Sequence, residues 1–153
     1  MVKNTIKKRN RISSKRISIK QYRNIPFTKC NQKTQKCRDY CMDIEGAKCG
    51  NNVDIIYYPC HSGENQQFAY NEKTKQLVVK HSHKCIELNT NNTRLFQSKC
   101  NSKRKTQKWK KHGNTWRSLA NKKCMDLAEC TFNSDQGFCD FQRGSMITTS
   151  CKN

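Results

Sequence analysis

The tetrapeptide "CMDI" (Cys41–Ile44) returns as "CIEL" (Cys85–Leu88) and again as "CMDL" (Cys124–Leu127). Each copy reads cysteine, apolar residue, acid, apolar residue, and the copies begin roughly forty residues apart. Alternation of apolar and polar residues over a short run is typical of a β-strand with one buried face. A motif that recurs at this period indicates a fold built from three similar units.

The segments between the copies repeat as well. A β-like run ending in cysteine follows each of the first two copies, as "VDIIYYPC" to Cys60 and "RLFQSKC" to Cys100. A glutamine then precedes an aromatic residue by two positions, at Gln66 to Phe68 and at Gln107 to Trp109. Short strands at even spacing, separated by Gly, Asn and Ser turns, predict an all-β fold of three lobes.

Repeats with Cys-x-Asp early and Gln-x-Trp late resemble the ricin B-chain type lectins. The resemblance covers about residues 25–153 and is strongest in the first repeat. It implies a β-trefoil, in which three four-stranded lobes surround a pseudo-threefold axis. The lobes are expected at about residues 37–76, 77–117 and 118–153. In both complete repeats the aromatic of the Gln-x-aromatic motif is expected in the core.

The third repeat departs from the family pattern. Cys139 follows Cys124 at the spacing seen in the second repeat, but "MITTSC", ending at Cys151, looks more like the strands that end at Cys60 and Cys100. We therefore expect Cys151 to be the counterpart, with residues 128–143 as a cysteine-bearing insertion. The sequence then ends before a third Gln-x-aromatic strand, and our hypothesis is that "IPF" at residues 25–27 closes the barrel in its place.

Cysteine content favours disulfide bonds. Apolar residues make up only 33% of the 153 residues, and eleven residues are cysteines. Zinc is the weaker interpretation because no C-x-x-C pair occurs. The resemblance implies three pairings within lobes, Cys41–Cys60, Cys85–Cys100 and Cys124–Cys151. Two further pairings stay open, Cys130 with Cys139 and Cys30 or Cys37 with Cys49. The odd number leaves at least one thiol free, intermolecular or bound to something else.

Two features of the sequence point to different cellular compartments. Disulfides need an oxidising setting, yet the first thirty residues contain no apolar stretch typical of a signal peptide. A missing leader, a non-classical export route or an assembly with its own oxidising machinery would each reconcile the two observations. We expect an extracellular or virion setting and no transmembrane segment.

The net charge of +20 is unevenly distributed, because residues 1–38 hold thirteen Lys or Arg and no acid. Blocks of like charge stay solvated until a partner neutralises them. Residues 1–24 are therefore predicted to form a basic extended arm that is disordered or bound to an anionic partner, which is a protein assembly, nucleic acid or a membrane surface. Its candidate polyanion-binding residues are Lys7, Lys8, Arg9, Arg11, Lys15 and Arg16.

A second basic cluster surrounds Trp109, where residues 99–111 hold seven basic residues and no acid. It is a candidate site for sulfated glycan, phosphate or nucleic acid, and the alternative is a solvated charge run. Its candidate residues are Lys103, Arg104, Lys105, Lys108, Lys110 and Lys111.

Sugar sites combine an aromatic face with fixed carboxylate and amide groups that bond hydroxyls. In the resembling lectins, the sugar is held at motif positions that correspond here to Asp43, Gly46, Tyr58, Asn65 and Gln66. A galactose-like glycan is the ligand that this implies. The alternative is structural, since the same acid and amide can bond the backbone and Tyr58 can pack. The other lobes keep fewer of these groups, with Glu87, Ser98 and Thr106 in the second and Asp126 and Thr149 in the third.

The sequence thus favours a carbohydrate-binding domain with one site in the first lobe, anchored by its arm. Two alternatives are a structural or cement component of a viral particle or other assembly, and a polyanion binder. A multimer or larger assembly would supply avidity. Without a nucleophile–base pairing, phosphate loop or nucleotide fingerprint, we expect no enzyme, no cofactor and no metal site.

Overall fold

The computed structural model of the protein describes residues 21–30, 35–128 and 144–152. This part of the chain forms eleven β-strands and three single-turn 3₁₀ helices, with no α-helix. The strands are β1 (Pro26–Cys30), β2 (Cys37–Ile44), β3 (Val53–Pro59), β4 (Phe68–Asn71), β5 (Gln76–Val79), β6 (Cys85–Leu88), β7 (Leu95–Ser98), β8 (Trp109–His112), β9 (Thr115–Ser118), β10 (Cys124–Leu127) and β11 (Gly144–Thr149). The 3₁₀ turns are Glu45–Ala47, Glu64–Gln66 and Lys105–Gln107. Among these residues no helix is long and apolar enough to cross a bilayer.

The three Cys-x-acid motifs form three equivalent strands, β2, β6 and β10. Each pairs antiparallel with the next strand of its lobe, which is β3, β7 or β11. The register is the same each time, since Cys41 lies opposite Tyr58, Cys85 opposite Ser98 and Cys124 opposite Thr149. The predicted all-β fold of three similar lobes is confirmed.

The segment before β2 takes a different place from the one expected. Pro26 pairs with Cys41 as Val78 pairs with Cys85 and Arg117 with Cys124. Residues 25–27 therefore join the barrel as the counterpart of β5 and β9. They do not replace a third Gln-x-aromatic strand, because their register leads directly into β2.

The domain also begins earlier than residue 25. The Arg23 amide donates to the Phe68 carbonyl at 3.1 Å, and the Phe68 amide donates to the Arg23 carbonyl at 2.9 Å. Asn24 is hydrogen-bonded to the first lobe. Arg23 and Asn24, which the sequence analysis assigns to the arm, thus belong to the domain, while residues 1–20 lie outside the described part.

The core lies where the inner faces of the three lobes meet. Phe68 and Trp109, the aromatics of the two Gln-x-aromatic motifs, are both buried there as predicted. The Trp109 indole Nε1 donates to the Ile86 carbonyl at 3.0 Å, so its polar atom is satisfied. Other fully buried side chains are Met42, Ile44, Ile55, Leu77, Ile86, Leu88, Leu95 and Met146.

One glycine is required by close packing. Gly144 pairs with Tyr57 across β11 and β3, and a Cβ atom at residue 144 would overlap the buried Tyr57 ring. Tyr57 in turn meets Tyr40 edge-to-face at a centroid distance of 5.1 Å. Burial, together with the neighbouring Tyr40, raises the pKa of Tyr57, so its phenol stays neutral in this packing.

The structure contains four disulfide bonds among the described residues. Three are the pairings implied by the resemblance, Cys41–Cys60, Cys85–Cys100 and Cys124–Cys151. The fourth joins Cys30 to Cys37, which excludes the pairing of either residue with Cys49 that the sequence left open. The reason is the β1–β2 hairpin, which places Cys30 directly opposite Cys37, whereas Cys49 is exposed and free. Cys130 and Cys139, with most of the predicted insertion, lie outside the described residues.

Candidate functional site

The acid and the aromatic of the first lobe lie on one face of the β2–β3 pair. Cys41 faces Tyr58 and Asp43 faces Ile56, so Tyr58 is a diagonal neighbour of Asp43 on the side away from the core. The intervening Met42 points into the core and is fully buried. The alternation of β2 therefore turns Cys41 and Asp43 to the same outer face.

Two amides orient the Asp43 carboxylate. Asn65 Nδ2 donates to Oδ1 at 2.9 Å, and Gln66 Nε2 donates to Oδ2 at 2.7 Å. Asp43 is only 3% exposed and Gln66 is fully buried, whereas Asn65 is half-buried. Gln66 Nε2 also donates to the Pro59 carbonyl at 3.0 Å. Gln66 thus fixes the carboxylate from the buried side of the site, and Asn65 lies on the more exposed side.

His61 is a site residue that the sequence analysis missed. Its Nε2 lies 3.4 Å from Asp43 Oδ2, and its ring meets Tyr58 edge-on at a centroid distance of 6.1 Å. The Gly63 amide donates to His61 Nδ1 at 3.0 Å, so the neutral ring carries its proton on Nε2, facing the carboxylate. The one feature of the sequence that could have indicated His61 as a site residue is its position directly after Cys60.

Asn24 is hydrogen-bonded to the residues that surround the Asp43 carboxylate. Its Nδ2 lies 3.0 Å from the His61 carbonyl, 3.4 Å from Gln66 Oε1 and 3.5 Å from Cys41 Sγ. The His61 amide donates to the same Gln66 Oε1 at 2.9 Å. Because Asn24 lies in the stretch assigned to the arm, no sequence pattern linked it to the site.

Two glycines shape the loops around Asp43. Gly46 has a φ of +61° within the turn Glu45–Ala47, a conformation that favours glycine, and this turn directs the chain away from β2. At Gly63, a Cβ atom would come within 2.8 Å of His61 Nδ1 and 2.7 Å of Asn65 Oδ1. Glycine at position 63 therefore lets the His61 and Asn65 side chains pack close to the backbone beside Asp43.

In the second lobe, the arginine Arg104 contacts Glu87, the acid that is equivalent to Asp43. Glu87 is buried and accepts bonds of 2.9 Å from both Thr106 Oγ1 and Gln107 Nε2. Arg104 Nη1 lies 3.2 Å from each Glu87 oxygen. Arg104 directly precedes the turn Lys105–Gln107, the position that Gly63 holds before Glu64–Gln66.

The Glu87 carboxylate stays ionised despite its burial. Burial raises the pKa of Glu87, but hydrogen bonds from Gln107 and Thr106 lower it. The positive charge of Arg104 and a bond from Ser98 lower it further, so the pKa of Glu87 lies below its ordinary value.

The third lobe does not assemble a comparable set in the part of the chain that is described. The Asp126 side chain is 35% exposed, and its Oδ1 accepts from the adjacent Leu127 amide at 2.8 Å. Oδ2 lies 3.4 Å from Thr149 Oγ1 and 3.6 Å from Lys152 Nζ. The first lobe alone brings acid, amides and aromatic together among the described residues.

The basic cluster around Trp109 divides among different surroundings. Lys108 Nζ donates to the Thr74 carbonyl at 3.4 Å, and Lys111 Nζ lies 5.0 Å above the Trp116 ring. Burial and the nearby charge of Arg23 lower the pKa of Lys111. Lys103, Lys105 and Lys110 are exposed. The six arm candidates, Lys7, Lys8, Arg9, Arg11, Lys15 and Arg16, lie outside the described residues.

The repeated disulfide-linked lobes define a β-trefoil domain of the lectin class. The ricin-type beta-trefoil lectin domain matches residues 32–139, and the chain belongs to this family. A search of curated proteins finds no match to the sequence.

Solved structures show the same fold. The C-half of the earthworm R-type lectin, in complex with GalNAc, is 16% identical with a TM-score of 0.58, and the alignment covers 74% of this chain and 82% of that one. ThreeFoil, a designed 3-fold symmetric protein, is 16% identical with a TM-score of 0.58, over 83% of this chain and 90% of that one. The β-trefoil lectin of the Vibrio vulnificus hemolysin/cytolysin, with N-acetyl-D-lactosamine bound, is 18% identical with a TM-score of 0.56, over 83% and 85%.

Proposed function

We propose that the protein binds a neutral, galactose-like glycan through the first-lobe pocket formed by Asp43, Tyr58, His61, Asn65 and Gln66. The observation that carries this proposal is the oriented carboxylate of Asp43, held by two amides beside an aromatic ring. A fixed carboxylate accepts hydrogen bonds from two adjacent hydroxyls without reorganising when the sugar arrives.

Each residue has a distinct role in this proposal. Asp43 accepts from the hydroxyls, and Asn65 bonds a hydroxyl at the open side while Gln66 fixes the carboxylate. Tyr58 offers its ring face to the apolar C–H patch of the sugar, and His61 closes the gap between ring and carboxylate. Gly46 allows the turn after β2, and Gly63 allows His61 and Asn65 to pack close to the backbone. The Cys41–Cys60 bond holds β2 to the end of β3.

The family relationship supports a galactose-type ligand. The earthworm lectin half was solved with GalNAc and the Vibrio vulnificus lectin with N-acetyl-D-lactosamine, both built on galactose-type rings. At identities below 20% these likenesses carry the fold, and the ligand class comes from the matching groups in the first lobe.

Residues 1–24 add a second part to the proposal. Their positive charge, without a single acid up to residue 38, suits attachment to an anionic partner. The arm then localises the domain while the first lobe binds glycan. Deletion of residues 1–20 is expected to release the protein from such a partner and to leave glycan affinity unchanged.

The test of the glycan site is an array of neutral glycans at physiological salt, with the wild-type chain and two variants. Asp43→Ala is expected to abolish binding, because it removes the hydroxyl acceptor. Asp126→Ala changes the matching residue of the third lobe and is expected to bind like the wild type. Silence of the wild-type chain on all neutral galactosides, or equal binding by Asp43→Ala, would refute the proposal.

A further inference from the structure

Arg104 is held in one orientation by a buried partner. Its Nη1 spans both oxygens of Glu87 at 3.2 Å, and Glu87 is only 6% exposed and also bonded by Thr106 and Gln107. Only Nη1 contacts Glu87, and the Nε and Nη2 donors of the guanidinium have no hydrogen-bond partner among the described residues. The Nε–Nη2 edge is the face that binds planar or tetrahedral oxyanions bidentately.

The residues next to Arg104 in the sequence are also basic. Lys103 and Lys105 flank Arg104 in sequence and are exposed, and the Arg104 side chain is itself 53% exposed. Glu87 is the acid in contact with the guanidinium, and Arg104 covers it. Three cations against one buried carboxylate leave this surface suited to an anion.

We propose that the second-lobe pocket is an anion site in which Arg104 binds the sulfate or carboxylate group of an acidic glycan. The pocket occupies the place that the sugar site takes in the first lobe, but Arg104 stands at the position that Gly63 holds in the first lobe. Ser98 takes the position of Tyr58, so the stacking face is replaced by charge recognition. The anion site stands on its own contacts, and its assignment to a glycan rests on the function proposed above.

A glycan fits these contacts better than nucleic acid does. One oriented guanidinium with two flanking lysines matches a single anionic group, and Ser98 offers no ring on which a base could stack. A contact with one charged group predicts a shallow salt dependence, with a slope of log K against log salt of about −1. Nucleic acid bound through many phosphates would give a much steeper slope.

Titration calorimetry with lactose, 3′-sulfated lactose and inorganic sulfate separates the two sites. For Arg104→Gln we expect about a tenfold loss of affinity for sulfated lactose and unchanged affinity for lactose, which also reports that the domain is folded. Lys73→Gln removes one positive charge from an exposed lysine in another turn and is expected to stay within about twofold of wild type for both sugars. Asp43→Ala is expected to lose lactose and to retain sulfated lactose.

Different results would refute the anion site, its assignment to a glycan, or the first-lobe proposal. If Arg104→Gln binds sulfated lactose as tightly as wild type, the anion site is refuted. If inorganic sulfate competes as well as sulfated lactose, or if a short single-stranded DNA shows the Arg104-dependent binding with a steep salt slope, the glycan assignment is refuted. If wild type binds sulfated lactose through Arg104 while neither wild type nor any variant binds lactose, the first-lobe proposal fails and the anion site stands.

Discussion

Gly63 and Arg104 occupy the same position in successive lobes, each directly before the single-turn helix that carries the glutamine of the Gln-x-aromatic motif. Gly63 places no side chain against Asp43, whereas Arg104 Nη1 lies 3.2 Å from a Glu87 oxygen. Both backbones are extended there, with φ of −61° and −76°, so the difference is one of side chain rather than of loop shape. The residue at this one position therefore decides whether an arginine side chain lies against the carboxylate of its lobe.

Gly63→Arg is expected to abolish neutral glycan binding. The backbone accepts a side chain at φ −61°, while His61 and Asn65 must shift because both lie within 2.8 Å of the new Cβ. The guanidinium is then free to pair with Asp43, as Arg104 pairs with Glu87. We expect a loss of at least tenfold in galactoside affinity by calorimetry.

The matched control is Gly50→Arg, which adds the same charge where the nearest atom to a new Cβ is Val53 Cγ2, at 3.9 Å. This variant is expected to bind galactoside within about twofold of wild type. Equal loss in both variants would show that added charge, not occupation of the pocket, is responsible.

The Tyr58 ring is expected to contribute stacking rather than a hydrogen bond. Tyr58→Ala should lower galactoside affinity about tenfold, because ring contacts of this kind are worth about 1 kcal/mol or slightly more. Tyr58→Phe keeps the ring and should stay within about threefold of wild type. If the two variants lose affinity equally, the phenol oxygen and not the ring face is the group that matters.

The disulfides are expected to differ in their contribution to stability. The chain-entropy relation gives about 3 kcal/mol for Cys41–Cys60, with a sequence separation of 19, and about 2 kcal/mol for Cys30–Cys37, with a separation of 7. Urea unfolding of the two double-serine variants measures both costs. The first variant should also lose galactoside affinity, since Cys60 positions His61; preserved affinity would argue against that role of the disulfide.

The pH dependence of stability should show the contribution of Glu87. Its folded pKa lies below the ordinary value of 4.5, so its stabilisation is present above pH 4.5 and is lost as pH falls through the folded pKa. Thermal unfolding between pH 6 and about pH 3 should therefore lower the Tm of wild type more than that of Glu87→Gln. Parallel Tm profiles for the two proteins would contradict this expectation.

Gly144 should tolerate no side chain. Gly144→Ala places a methyl group against the rigid, buried Tyr57 ring and is expected to lower the free energy of unfolding by about 1–3 kcal/mol. Gly50→Ala, with no atom closer than 3.9 Å to the new Cβ, should change stability little. Urea unfolding of both variants tests the difference, and equal stability would show that Tyr57 can move aside.

The fold could be predicted because the Cys-apolar-acid-apolar motif that indicates it occurs three times in the sequence. The alternation in "CMDI", "CIEL" and "CMDL" fixes which face of each strand is buried, and Met42 and Ile86 are indeed in the core. The resemblance correctly implied the three disulfides within the lobes. The Cys30–Cys37 bond was not predicted, because it depends on a β1–β2 pairing that extends over five positions, whereas the matching β5–β6 and β9–β10 pairs meet at one position each and place no second pair of cysteines together.

The candidate site was less accessible to sequence reasoning. Asp43, Asn65 and Gln66 follow from the motif and lie together. His61 and Asn24 were missed because their contacts arise from loop packing, and neither residue belongs to a repeated pattern. Arg104 was predicted only as one of several candidate polyanion-binding residues in the basic cluster, since only the three-dimensional structure shows that it lies on the buried Glu87.

Asn24 also sets a mechanical constraint on the molecule. With bonds to the His61 carbonyl and to Gln66 Oε1, it attaches the chain leaving the domain at its N-terminal end to the floor of the first-lobe pocket. Tension applied through that end therefore acts first on the backbone bonds between Arg23 and Phe68, and then on the contact of Asn24 with Gln66, which bonds the Asp43 carboxylate. Immobilising the protein by its N-terminus and by its C-terminus should accordingly give different sugar off-rates under load.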